Sequence, residues 1–282
     1  MVLSARKSLL CPRCRRLISV DEPACPYCGI SRPGSWWRNT IDITPYLRPD
    51  QIARSLITVN IFLFALSALL SPVGAQLSMN PFSLLSPSNK ILLLLGATGT
   101  IPIDQFHRWW SLVSAGYLHG GILHIFFNMT ALRQILPFIL NEYGFNRMVI
   151  IYTLGGAAGF YVSYLARIPF TIGASASLFA LIGSILYYAQ SRGGTFGKTI
   201  FRNIGGWVIG LFIFGLLFPG INNWAHGGGL GGGIILAFVL GYEEKKRETA
   251  GHKLLANACI ILTMLILAWA VLSALYYRFM VL

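Results

Sequence analysis

The sequence predicts an all-α membrane protein: a bundle of six spanning helices, one further C-terminal span, and a small metal-held module in front. Three observations carry that expectation. Charged residues make up 11% of the 282-residue chain and hydrophobic residues 55%, whereas soluble domains carry about 25% charged residues. Several uncharged runs reach the length of about 20 residues that a bilayer asks of a helix. Four of the five cysteines fall in two CxxC pairs ahead of residue 30.

The module covers residues 1–34. Cys11-Pro12-Arg13-Cys14 and Cys25-Pro26-Tyr27-Cys28-Gly29 can supply four thiolates to one tetrahedral ion, in the manner of a short zinc ribbon. Structural zinc is expected, with a docking or regulatory role for the module. The alternative, a pair of disulfides, needs an oxidising compartment. Against it stand Arg13, Arg15 and Arg16 and the lack of an apolar signal core in the first 50 residues. Too little apolar sequence lies here for a core, so metal would hold the fold. Cys259 stands alone in an apolar run and reads as a small hydrophobe.

Residues 35–52 read as a linker, with Trp36, Trp37 and Arg38 suited to a membrane interface. The six-span core is placed at 53–242. The first span runs from about Ser55 to Leu70 and leaves at Pro72-Val73-Gly74. A connection over 75–108 holds an apolar patch, Ile91–Leu95, and ends in His107-Arg108-Trp109-Trp110; it is expected to lie partly in the interface. The second span starts near His119 and reaches Leu136, the third covers Met148–Ala166, and the fourth covers Phe170–Ala189. No Lys, Arg, Asp or Glu occurs from Asn203 to Tyr242. That run is cut by Pro219-Gly220-Ile221-Asn222-Asn223 into a fifth and a sixth span. Residues 243–282 form a charged loop and a seventh span, Leu254–Tyr276.

The net charge of +13 reads as basic loops facing anionic lipid, with no nucleic-acid partner expected. With the N-terminus inside, the inner loops hold Arg147, then Arg192, Lys198 and Arg202, then Lys245, Lys246, Arg247 and Lys253. The outer short loops hold little beyond Arg167. The N-terminus is therefore expected in the cytoplasm.

Under that topology spans two, four and six run the same way, and each carries its unusual polar residues near its start. Ser175 is expected roughly 10 Å below the outer surface if its helix begins near Ile168, at about 1.5 Å per residue. His124 and Asn128 are four apart on one helix face, and both can donate toward a developing oxyanion. His119 is expected above them, near water. Ser175 reads as nucleophile and His226 as base. No span contains Asp or Glu, so the pair would act as a dyad without a cofactor. Each residue taken singly is also compatible with an interhelical hydrogen bond. His119, His124 and His226 would be a poor metal site, with no HExxH and no carboxylate. Gly229 and Gly233 follow His226 on one face, and Gly173, Ala174 and Ala176 flank the serine. Small faces let two backbones come close, which packing and catalysis both require.

The segment His119-Gly120-Gly121-Ile122-Leu123-His124-Ile125-Phe126-Phe127-Asn128, then Gly173-Ala174-Ser175, then His226 with Gly229 and Gly233, resembles the rhomboid intramembrane serine proteases in order and spacing. The likeness covers residues from about 108 to 240. It implies a rhomboid-like six-helix bundle followed by the extra span, with Ser175 as nucleophile and His226 as base. It also implies an oxyanion site made by His124, Asn128 and the Ser175 backbone N–H. The substrates it implies are single-span membrane proteins cut near the outer face, here in a bacterial inner membrane. Three positions depart from the family pattern. Ala176 stands where Gly is usual and narrows the approach to span six. Phe179 stands where Tyr often packs on the imidazole. Trp110-Ser111 replaces a Trp-Arg pair, which bears on loop anchoring. The competing reading is a catalytically silent scaffold that binds transmembrane segments; a transporter is disfavoured by the lack of repeats.

Overall fold

The structure, a computed structural model, describes residues 8–11, 14, 16–29, 32–34, 49–72, 84–218, 220–246 and 248–281. Arg13, Arg15, Trp36, Trp37, Arg38, the Val73-Gly74 exit, Pro219 and Arg247 lie outside the described residues. The chain forms two compact units, Met1–Arg48 and Pro49–Leu282.

In the first unit, β1 (Ser8–Leu10) pairs antiparallel with β2 (Leu17–Ser19), with Leu9 opposite Ile18. Its core is Ile18 with the buried Cys11 and Cys25, against which Leu9, Cys14 and Cys28 pack. Thiols make up most of that cluster, so little apolar area is available to hold it.

The second unit is helical. Its elements are α1 (Pro49–Leu70), α2 (Asn89–Leu94), α3 (Ser111–Ser114), α4 (Ile122–Ile150), α5 (Gly156–Leu165), α6 (Ser175–Arg192), α7 (Gly194–Leu217), α8 (Asn223–Leu240) and α9 (Ala250–Tyr276). Among the described residues, four segments are long and apolar enough to cross a membrane: Gln51–Leu70, Ile122–Leu165, Gly194–Leu217 and Ala250–Met280. The second folds into two at Gly144, whose φ of 75° and ψ of 173° break the helix. α6 and α8 are shorter, 18 residues each, and their first turns are given to Ser, Ala, Asn, His and Gly. They occupy the centre instead. α6 packs against α8, α7, α5 and α4, α8 also packs on α5, and α1 and α9 lie against α4. α7 is peripheral: Gly197 and Val208 are its buried residues, while Trp207, Ile209, Leu216 and Leu217 face outward.

The α6–α8 contact depends on missing side chains. A Cβ at Gly229 would run into the Ala176 carbonyl, one at Gly233 into the Ala180 carbonyl, and one at Gly183 into the Leu230 carbonyl. Backbone lies directly on backbone, which brings short side chains on the two helices within reach of each other.

Several expected boundaries are corrected. The fourth helix begins at Ser175 and not near Ile168 or Phe170. Ahead of it the chain is extended, because Thr171 exchanges backbone hydrogen bonds with Thr98 at 2.7 and 3.1 Å and Gly173 has φ 125°. The depth reckoned from helical rise therefore falls away. The second helix begins at Ile122, and His119 sits in the turn before it. That histidine is 0% exposed, not near water, because its ring is enclosed edge-on against His124. The fifth helix begins at Gly194, so Lys198 and Arg202 ride on its first turns, where long cationic side chains can reach out to water. The first and seventh helices also begin a turn or so early.

Arg147, expected in an open basic loop, is fully buried. Its guanidinium donates to Glu243 Oε1 at 2.7 Å and to the carbonyls of Tyr143 and Lys246. Asn146 donates to Glu248 Oε2 at 2.9 Å. The charged loop thus folds back onto the α4 kink, where the absent side chain of Gly144 leaves room for both carboxylates.

Candidate active site

The extended run that ends at Ser175 is held from three sides. Thr171 pairs with Thr98, Gly173 N donates to Ala115 O at 2.9 Å, and Ala174 and Ala176 are completely buried. Ser175 is the first residue of α6, so the N–H groups of this first turn have no carbonyl within the helix to receive them. They add the positive end of the helix dipole to the site.

α8 carries His226 one turn in from its cap. The cap is Asn222, whose side chain accepts from Ala225 N. The imidazole meets the hydroxyl directly: His226 Nε2 lies 2.9 Å from Ser175 Oγ. Phe179 stacks on the imidazole, centroids 4.3 Å apart and planes 12° from parallel, and Phe212 meets it edge-on. Nδ1 of His226 has no hydrogen-bond partner among the described residues, so no carboxylate completes a triad there.

His124 approaches from α4. A Cβ at Gly173 would lie 2.7 Å from His124 Nε2 and 3.7 Å from Ser175 Oγ. The glycine therefore leaves open a small space faced by both groups. His124 Nδ1 accepts from Gly120 N at 3.3 Å, which leaves Nε2 for that space. Asn128 is oriented from within its own helix: its Nδ2 donates one N–H to His124 O at 2.9 Å, and an amide NH2 has a second N–H to give. His119, Gly173, Phe179, Gly229 and Gly233 all lie at or directly behind these groups. Among the described residues, the group of three or more donors that could hold one metal ion is the four cysteines and not the histidines.

The three departures noted in the sequence have physical counterparts. The Ala176 methyl points toward α5, into the gap left by Gly159, and joins Ala115, Phe160 and Ala225. The methyl thus lies where α5, α6 and α8 meet, while the carbonyl of the same residue faces Gly229. The loop is anchored without the usual Arg at 111: Arg108 donates to Leu93 O at 2.7 Å, and Ser111 Oγ to Thr98 Oγ1 at 2.9 Å. Ile91, Leu92 and Leu95 of the apolar patch are buried beneath it, while Phe106 and Trp109 remain exposed.

In the N-terminal unit the four cysteine Sγ atoms lie within 4.8 Å of one another. Cys11 and Cys28 are 3.6 Å apart, as are Cys14 and Cys25. A tetrahedron with Zn–S bonds of about 2.3 Å has sulfurs about 3.8 Å apart, so the donor set fits one such ion. Burial pushes the Cys25 thiol up, but backbone N–H groups of Tyr27 and Cys28 and the neighbouring Cys11 and Cys28 thiols outweigh it and draw it down to about 7. This favours the thiolate that a metal binds.

Residues 107–243 match the family model Rhomboid, described as a rhomboid domain. The chain is 34% identical over 176 residues to Rhomboid protease GluP of Bacillus subtilis (strain 168), a match covering 62% of this chain and 34% of that protein. It is 34% identical over 202 residues to RHOMBOID-like protein 5 of Arabidopsis thaliana, covering 65% and 63%. With RHOMBOID-like protein 1 of Arabidopsis thaliana the identity is 28% over 235 residues, covering 74% and 58%. The chain thus spans from about a third to just under two thirds of the length of these relatives.

Proposed function

We propose that this multi-pass membrane protein, whose residues 107–243 match the rhomboid domain, is a serine-type intramembrane endopeptidase working through a Ser175–His226 dyad. The observation that carries the reading is the 2.9 Å contact between His226 Nε2 and Ser175 Oγ on two backbone-packed helices. His226 Nε2 takes the hydroxyl proton as Ser175 Oγ attacks the scissile carbonyl, and gives it to the leaving amine as the C–N bond breaks. Water, deprotonated by the same nitrogen, then hydrolyses the acyl-enzyme and restores the serine. The developing oxyanion is met by the Ser175 backbone N–H and by His124 Nε2 across the Gly173 gap. Asn128 can join them through the second N–H of its amide while the first stays on His124 O.

The substrates proposed are single-span membrane proteins, unwound locally at the cut and cleaved near the outer face. A cytoplasmic N-terminus is supported by the Lys and Arg bias at one end of the bundle. A bacterial inner membrane is supported by the Bacillus relative. Zinc is the ion proposed for Cys11, Cys14, Cys25 and Cys28, on the fit of four thiols to a tetrahedron; it holds the module's fold and takes no part in the chemistry.

Purified protein mixed with a single-span substrate tests the reading. Ser175→Ala and His226→Ala should each lower cleavage at least about 10³-fold. Cleavage at the parent rate in either variant would show the dyad to be wrong. Folded parent protein with neither cleavage nor labelling of Ser175 by a fluorophosphonate would favour the silent scaffold.

A further inference from the structure

The turn ahead of α8 holds a side chain that the reaction as proposed does not use. Asn222 accepts from Ala225 N through Oδ1 at 3.1 Å, and its main-chain oxygen receives the N–H of His226 itself, also at 3.1 Å. A backbone N–H can only donate, so the amide oxygen is fixed on the helix side and the NH2 group is turned outward. There it donates to Ser163 Oγ on α5 at 2.6 Å and to Thr171 Oγ1 at 3.0 Å. Thr171 lies four residues ahead of Ser175 and is locked to Thr98 by the two backbone bonds. Thr98 in turn accepts from Ser111 Oγ. Ser163, Thr98 and Ser111 are completely buried, and Thr171 is nearly so.

We propose that Asn222 is a positioning residue for the dyad: one amide ties the first turn of the His226 helix to the extended run that delivers Ser175, and both to the end of the third span. The inference rests on the dyad reading. Capping alone does not account for it, since Ser, Thr or Asp caps a helix about as well as Asn does. The two bonds that leave the helix are the ones a cap has no need of. Both reach hydroxyls on separate elements that converge on the site. Their loss frees α8 to slide against the nucleophile's segment, and an error of about 1 Å there can cost about 10²-fold in rate.

The test uses the full chain in detergent and a fluorescent fluorophosphonate, whose acylation of Ser175 is followed to saturation. Asn222→Ser keeps a capping oxygen but is too short to bridge. Thr171→Val keeps the shape and loses the hydroxyl, and Thr171→Ser keeps the hydroxyl. Expected for Asn222→Ser and Thr171→Val is a maximal acylation rate lowered about 10²-fold with half-saturation close to the parent's, and near-parental rates for Thr171→Ser. The double variant Asn222→Ser/Thr171→Val should be no slower than Asn222→Ser alone, since that change already removes the bond to Thr171. If Asn222→Ser fails to fold, the Val and Ser forms of Thr171 decide the matter. Parental acylation in Thr171→Val, with His226→Ala inactive, would overturn the inference and leave the dyad standing. A parent whose Ser175 is not acylated would remove the dyad and this inference with it.

Discussion

Gly173 shows how little room the site leaves. Its φ of 125° is one that residues with side chains rarely adopt, and an added methyl would meet His124 Nε2 at 2.7 Å. Gly173→Ala should lower the cleavage rate about 10²-fold in protein that still folds, as read by single-turnover kinetics beside a thermal melt. Phe179 acts on the other side of the dyad, as a flat surface holding the imidazole plane. Phe179→Ala should slow the reaction about 10-fold or more, and Phe179→Tyr, which keeps the ring, should cost little. Ser175, His226 and His124 were legible in the sequence because a polar group in an apolar span needs a reason to be there. The bond from the Asn128 amide to His124 O was not, since i to i+4 spacing says that two residues share a face and nothing of what each already bonds. Asn222 was read only as part of a turn, although an Asn just ahead of an apolar helix is a cap signal.

Between elements, the α6–α8 seam and the inner polar knot carry most of the geometry. Gly233→Ala would drive a methyl into the Ala180 carbonyl and should cost about 1–3 kcal/mol, seen as a lower unfolding midpoint in detergent, with activity falling alongside it. The knot makes an asymmetric prediction. Glu243 is 43% exposed and Arg147 fully buried, so Arg147→Leu leaves a carboxylate that can hydrate, whereas Glu243→Leu leaves a buried guanidinium without its ion-pair partner. Glu243→Leu should therefore destabilise more, by about 3 kcal/mol; equal losses in a denaturation series would contradict that. Helix existence and order were readable from uncharged runs and the Pro219 break. Helix starts were not, because Lys198 and Arg202 sit comfortably on a membrane helix end. The extended run before Ser175 is set by a pairing with Thr98, more than seventy residues away in sequence.

At the scale of the whole molecule the chain is a small thiol-held module and a helical membrane core, and the two depend on different physics. Elemental analysis of the reduced full chain should find about one zinc per molecule. Chelation should unfold the module while acylation of Ser175 continues, because no cysteine of the set takes part in the chemistry. The division was legible from composition, since four cysteines and few apolar residues cannot make the kind of core that the remaining chain makes. The central claim is that an unassisted Ser175–His226 pair performs the chemistry, and its most direct test is mass-spectrometric mapping of a fluorophosphonate adduct on the purified protein. The adduct is expected on Ser175 in the parent and absent from His226→Ala protein that melts at the parent's temperature. An adduct that persists in His226→Ala, or that maps to another residue, would contradict the account.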